Sequence, residues 1–164
     1  MNLIDKFNQL NKSEFISIFG NVFEKTEWIA ERCHESKPYN NTDELVSKMM
    51  KIFENIEKER HLEILNSHPD LAVEKKLTED SKNEQKNASL NQCTDEEFTE
   101  FKKLNKEYKK KFGFPFIIAV KGKNKEEILN SFRQRITNNI NLEFEEAKKQ
   151  VKKIANFRLS EIIK

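Results

Sequence analysis

Thr94-Asp95-Glu96-Glu97-Phe98-Thr99-Glu100-Phe101-Lys102-Lys103-Leu104-Asn105-Lys106-Glu107-Tyr108-Lys109-Lys110-Lys111-Phe112-Gly113 runs directly into Phe114-Pro115-Phe116-Ile117-Ile118-Ala119-Val120-Lys121-Gly122. The first part opens with a capping box, Thr94 with Glu97 three residues on, and closes on Gly113, a residue suited to the left-handed turn after a helix. Between them Phe98, Phe101, Leu104, Tyr108 and Phe112 recur at spacings of three and four, which predicts an amphipathic helix. The second part breaks that period. From Pro115 to Val120 the chain is continuously apolar with β-branched residues, and Gly122 ends the run. No second convincing strand exists to pair with it, and an isolated strand is not stable. The run therefore reads as a buried extended segment between helices, and the fold class as all-α.

The flanking sequence agrees. Ile4, Phe7 and Leu10 fall at helical spacing, and Phe15, Ile16, Phe19 and Phe23 continue an apolar stripe past Gly20, where one helix gives way to the next. Thr26 is placed to cap a turn carrying Trp28 and Ile29. The stretch from His34 to Asn41 reads as a loop, and Thr42 as the N-cap of a helix with Leu45, Met49, Ile52, Phe53 and Ile56 on one face. Pro69 biases His68 away from α geometry, so the helix carrying Leu62, Ile64 and Leu65 ends there. A charged loop is expected from Glu74 to Asp80, then a short helix opened by Ser81 and running through Leu90. Two further helices carry Ile128, Leu129, Phe132 and Ile136, and Phe144, Ala147, Val151, Ile154, Phe157 and Leu159. The sum is a single-domain helical bundle, residues 1–164, of about seven to nine helices.

Composition narrows the function. The 164 residues contain 30 Lys+Arg and 28 Asp+Glu, a formal net charge of +2, with the two signs interleaved. Neither nucleic acid nor a membrane is called for. With 13 Phe to fill a core and only three Gly and three Pro, the chain is suited to long helices. Cys33 and Cys93 are far apart and form no CxxC pair, so they read as buried or half-buried thiols in a reducing compartment. The first residues become polar too soon for a signal peptide, and the cytoplasm is the default location. No zinc cluster, HExxH, phosphate loop or nucleophile elbow occurs, so an enzyme here is expected to work with no metal and no cofactor.

Of the three His, His34 and His61 sit in polar contexts and read as solvent-exposed. His68 differs: it ends an apolar helix and opens His68-Pro69-Asp70-Leu71-Ala72. An imidazole held at such a rim can give or take a proton near neutrality. The plainer alternative is that His68 and Asp70 only cap helix ends. Ser81-x-x-Glu84-Gln85 also has two readings. Glu84 would bond back to the Ser81 N–H in a capping box, or the helix start would offer its N–H groups to an anion with Glu84 handling a proton. The segment Phe116, Ile117, Ile118, Ala119, Val120 is core by composition. Lacking a sheet partner, its backbone would also suit a urea-like or amide-rich ligand. Arg133, Arg135 and Arg158 are cations on otherwise apolar helices, either snorkelling or recognising a carboxylate.

As a set, these motifs resemble the 2-oxo-4-hydroxy-4-carboxy-5-ureidoimidazoline decarboxylases, which complete the conversion of urate to (S)-allantoin. The resemblance runs from Phe15 and Trp28-Ile29-Ala30 through His68 to Ala72, Leu77-Thr78, Ser81-x-x-Glu84-Gln85, Leu104-Asn105-x-x-Tyr108 and Lys111 to Phe116, ending at Ile154-Ala155-x-x-Arg158-Leu159. Two departures stand out. Ala88-Ser89-Leu90 replaces the usual Ala-Gly-Leu, and Val73-Glu74 stands where Gly often follows Ala.

The resemblance implies an all-α, cofactor-free homodimer acting on a ureidoimidazoline. It makes His68 the catalytic imidazole, Glu84 its partner in proton transfer and Arg158 a substrate-orienting cation. Pro69, Ser81, Gln85 and Phe116 to Val120 would line the substrate pocket. A competing reading is a non-catalytic helical module that binds protein or nucleic acid through Lys-rich faces; it predicts a contiguous basic or apolar patch and no turnover dependent on His68. A third is a relative that has drifted to another ureido acid.

Overall fold

A computed structural model describes residues 1–72 and 78–164. Among the described residues there are nine α-helices, one 3-10 turn and no strand. The helices are α1 (Leu3–Gln9), α2 (Lys12–Phe19), α3 (Glu27–Glu35), α4 (Thr42–Glu54), α5 (Lys58–Asn66), α6 (Glu79–Asn87), α7 (Asp95–Phe112), α8 (Lys125–Arg135) and α9 (Ile140–Ile162), with the 3-10 turn at Leu90–Gln92 between α6 and α7. The all-α expectation holds. By packing, the chain divides into two compact units, Met1–Ser67 with Lys152–Lys164, and His68–Val151.

The first unit holds α1 to α5 and the end of α9. Asn2, Asn11 and Asn41 each accept a hydrogen bond from the backbone N–H three residues on, satisfying donors that a helix start leaves orphaned. The cap of α4 is thus Asn41, one residue before the expected Thr42. Both asparagine and threonine suit that position, and sequence does not resolve a shift of one. Phe7, Phe15 and Phe19 pack ring on ring, and Phe23 stacks on Phe53 at 4.9 Å. Each such buried side chain contributes roughly 1.5–3 kcal/mol by leaving water.

His61 corrects an expectation. It is buried, 5% exposed, with Nε2 at 2.7 Å from the Phe53 carbonyl and its ring edge-on to Phe53. His34 is half-buried, with Nε2 at 3.2 Å from the Leu10 carbonyl. Both imidazoles lie against carbonyls left at or beyond helix ends, contacts between elements that a local reading of polar neighbours does not show.

The second unit is organised on α7. Thr94 and Glu97 form the capping box as read, with both reciprocal bonds present, and Gly113 ends the helix at φ 82°. A residue with a Cβ is strained there, which is why glycine follows Phe112. Phe101, Tyr108 and Phe112 on the buried face of α7 meet Phe114, Phe116 and Phe132, the last two stacked at 3.9 Å and 8°. Pro115 to Val120 is buried throughout and carries no helix or strand, as expected.

α6 departs from the reading. It starts at Glu79 with Thr78 as N-cap, whose Oγ1 accepts from the Ser81 N–H at 3.2 Å, and ends at Asn87; Leu90 opens the 3-10 turn. Thr78 and Ser81 are equally good caps by chemistry, and the helix takes the earlier one. Ser81 therefore lies inside the first turn and is not the cap. Glu79 and Asp80 bring carboxylates to that turn, where negative charge complements the helix dipole. Leu77, Val73, Glu74 and the rest of the loop expected before Thr78 lie outside the described residues.

Candidate functional site

His68 is the first residue of the second unit. It follows Ser67, the C-cap of α5, and is 8% exposed. Asp70, Leu71 and Ala72 are held by three side chains from two helices. Gln85 of α6 bonds twice: Oε1 accepts from the Ala72 N–H at 3.1 Å, and Nε2 donates to the Asp70 carbonyl at 3.3 Å. Asn105 of α7 donates from Nδ2 to the Leu71 carbonyl at 3.0 Å. Lys109, one turn further along α7, pairs its ammonium with Asp70 Oδ2 at 2.6 Å. Ala72 takes φ 54°, a left-handed conformation that an alanine adopts only when its surroundings fix it. The loop behind His68 is thus tethered at consecutive backbone groups, the kind of support that holds an imidazole in one orientation.

On α6, Ser81, Gln85 and Ala88 are buried and Glu84 is half-buried, so 81, 84, 85 and 88 make one stripe at helical spacing. The expected polar residues of this helix do share a face. Gln85, expected to touch substrate, acts visibly as the tether of the His68 loop. Two buried acceptors, Asp70 Oδ1 and Asn105 Oδ1, have no hydrogen-bond partner among the described residues. Such atoms are few in folded interiors, and here both belong to the tether.

The segment Phe116 to Val120 is clamped from α8 and α9. Arg135 donates from Nη1 to the Ile117 carbonyl at 2.6 Å, and its guanidinium lies 4.4 Å from the Phe116 ring centroid. Gln150 Oε1 accepts from the Ala119 N–H at 2.9 Å. Arg135 is itself held by Glu143, whose Oε1 receives Arg135 Nε at 2.8 Å and the Tyr108 hydroxyl at 2.6 Å. Nη2 lies 2.7 Å from the same oxygen but is not aligned to bond to it. Asn138 donates to Glu143 Oε2 at 3.1 Å. The fully buried Glu143 is thus matched by a cation and two neutral donors, as a carboxylate out of water requires. Burial first, then the bond to Glu143, pushes the Tyr108 phenol above its ordinary range.

Of the three arginines singled out, Arg133 is exposed and pairs with Glu100 across α7 and α8. Arg158 lies in the first unit and is buried, 7% exposed, with Nη1 at 2.7 Å from the Asn21 carbonyl and Nη2 at 3.0 Å from the fully buried Glu24. It is not a snorkelling residue. Sequence reading assigned no role to Asn105, Lys109, Glu143 or Gln150. The available signal for three of them was a polar residue on an apolar helical face: Asn105 between Phe101 and Tyr108, Glu143 four before Ala147, and Gln150 beside Val151.

Among the described residues no three His, Cys, Asp or Glu come together as metal ligands, and no helix is long and apolar enough to cross a membrane. The described structure is thus a helical protein with a buried imidazole at the head of a tethered loop. Comparison with known proteins is specific. The family model for OHCU decarboxylase matches residues 8–160. The 2-oxo-4-hydroxy-4-carboxy-5-ureidoimidazoline decarboxylase of Haloferax volcanii is 35% identical over 158 residues, 96% of this chain and 94% of that protein. The uric acid degradation bifunctional protein of Bacillus sp. (strain TB-90) is 42% identical over 161 residues, and there the chain spans only 32% of its relative's length. Among solved structures, (S)-allantoin synthase superposes with TM-score 0.80 at 27% identity, covering 100% of this chain and 54% of that one. An OHCU decarboxylase solved in the presence of (S)-allantoin gives 0.74 at 25%, covering 93% and 99%. The chain belongs to the OHCU decarboxylase family.

Proposed function

We propose that this chain decarboxylates 2-oxo-4-hydroxy-4-carboxy-5-ureidoimidazoline to (S)-allantoin in urate breakdown, without a cofactor, and that residues 1–164 work as one domain for that task. The observation that carries the reading is the buried His68 at the head of a loop tethered by Gln85, Asn105 and Lys109, in a chain of this family. The substrate carbon that loses CO2 bears a hydroxyl and a carboxylate and sits next to an imine. The bond pair released with CO2 becomes a carbon–carbon double bond, and the imine pair moves to nitrogen, which takes a proton. The resulting enol gives up its hydroxyl proton as the carbonyl forms, and the carbon bearing the ureido group takes a proton. The imine is the electron sink, so the protein has only to bind, orient and move protons.

In this scheme His68 engages the hydroxyl or carboxylate and Glu84, on the Ser81–Gln85 face of α6, is its partner in proton transfer. Proton delivery from one side sets the S configuration. Arg158 orients the substrate by its positive charge, and Pro69, Ser81, Gln85 and Phe116 to Val120 line the pocket. In this reading the working form is a cytoplasmic homodimer; Ile140 and Leu142, each 53% exposed at the start of α9, offer apolar surface for pairing. The test is chirality-resolved allantoin formation from freshly generated substrate. Wild type gives (S)-allantoin faster than the spontaneous racemic decay, and His68→Asn returns the rate and racemic outcome of buffer alone. A fully active His68→Asn variant removes the imidazole from the scheme.

A further inference from the structure

The tether on Phe116 to Val120 determines which backbone groups that segment can offer. A trans peptide points its C=O and the following N–H in opposite directions, and the only cis bond among the described residues is Lys37-Pro38. The Ile117 carbonyl is taken by Arg135, so the N–H of the same peptide, that of Ile118, points away from Arg135. The Ala119 N–H is taken by Gln150, so the Ile118 carbonyl points away from Gln150. In extended chain the N–H and C=O of one residue leave by the same edge. Ile118 is 6% exposed, and neither its N–H nor its C=O has a hydrogen-bond partner among the described residues. A buried backbone donor and acceptor left side by side is rare, because such groups are otherwise paired.

We infer that Arg135 and Gln150 are positioning residues that clamp one edge of the 116–120 segment and thereby commit the opposite edge, the Ile118 N–H and C=O, to a planar ligand group carrying a C=O beside an N–H, as in a cyclic amide or a urea. The inference rests on the proposed pocket role of this segment and adds the two side chains that tune it. Arg135 brings a positive charge to the Ile117 carbonyl and polarises the Ile118 N–H through the shared peptide. Gln150 polarises the Ile118 carbonyl in the same way from the other peptide. Hydrogen bonds in such chains strengthen one another. Glu143, with Tyr108 and Asn138 behind it, keeps the guanidinium in place. Specificity then belongs to an amide edge, and a ligand with an ester or ether at that edge is rejected because it leaves Ile118 with an unmatched group.

Saturation kinetics of Gln150→Met in the full chain test this, since methionine keeps the shape and removes the acceptor. KM rises about tenfold, the weight of one well-made hydrogen bond, while kcat changes far less and the melting temperature shows a folded protein. A folded variant with unchanged KM overturns the inference. A second measurement is independent of that variant and of turnover. In 15N-labelled wild type titrated with (S)-allantoin, the Ile118 amide proton moves downfield more than its neighbours. An Ile118 amide that stays in place throughout the titration overturns the inference. If wild type instead fails to accelerate substrate decay while the Ile118 amide still responds, the proposed activity fails and the amide-edge site stands.

Discussion

The Asn105 side chain shows how little chemistry is needed to fix a loop. One N–H from it reaches the Leu71 carbonyl, three residues after His68, from the buried face of α7. Asn105→Leu keeps the volume and leaves that carbonyl without its donor. The expected loss is about 1–3 kcal/mol of stability, the cost of a buried polar group left unmade, together with a fall in kcat although His68 is intact. Urea denaturation and turnover on the same preparation check both. His68 stood out as a candidate because Pro69 fixes its backbone and the residues around it form a motif. Asn105 was quoted within the Leu104-Asn105-x-x-Tyr108 motif but carried no assigned role, because its partner is a backbone carbonyl 34 positions away and periodicity carries no information about that distance. The same limit hid the burial of His61 against the Phe53 carbonyl.

At the scale of elements, helix starts and stops were the most legible feature where side chain and backbone agree within four residues. Thr94 with Glu97, and Gly113, are where the pattern put them. α6 was misread by three residues because Thr78 and Ser81 compete as caps, and spacing alone cannot rank two hydroxyls. Its far end carries a different consequence. Ser89 takes φ 62° between α6 and the 3-10 turn. A side chain pays roughly 1–2 kcal/mol to sit in that region, and glycine does not. Ser89→Gly is therefore expected to raise stability by about 1 kcal/mol, after the entropy that glycine adds to the unfolded chain. Thermal and urea unfolding of the two proteins measure it. A variant no more stable than wild type places the strain elsewhere.

For the whole molecule, the interleaved charges form local pairs such as Lys12 with Glu31 and Arg133 with Glu100. Exposed pairs of this kind contribute little each. The first unit is discontinuous, closed by residues 152–164 of α9, whose Arg158 binds Glu24 from 134 positions away. No local pattern announces such a closure, because the partner lies far away along the chain. The two tyrosines of the chain happen to be divided between the two units, Tyr39 in the first and Tyr108 in the second, and both are buried. Desolvation first, then the Cys33 thiol, pushes Tyr39 above its ordinary range, as desolvation and Glu143 do for Tyr108. A raised phenol stabilises the native chain fully below the ordinary value of about 10, and that contribution drains away as pH climbs above it. Phenolate absorbance near 295 nm should consequently stay silent while the chain is native and appear only as each unit opens in alkali. The protein thus carries its own optical reporter in each half: two separated rises would mean that the halves melt independently, and a single rise that they share one cooperative transition.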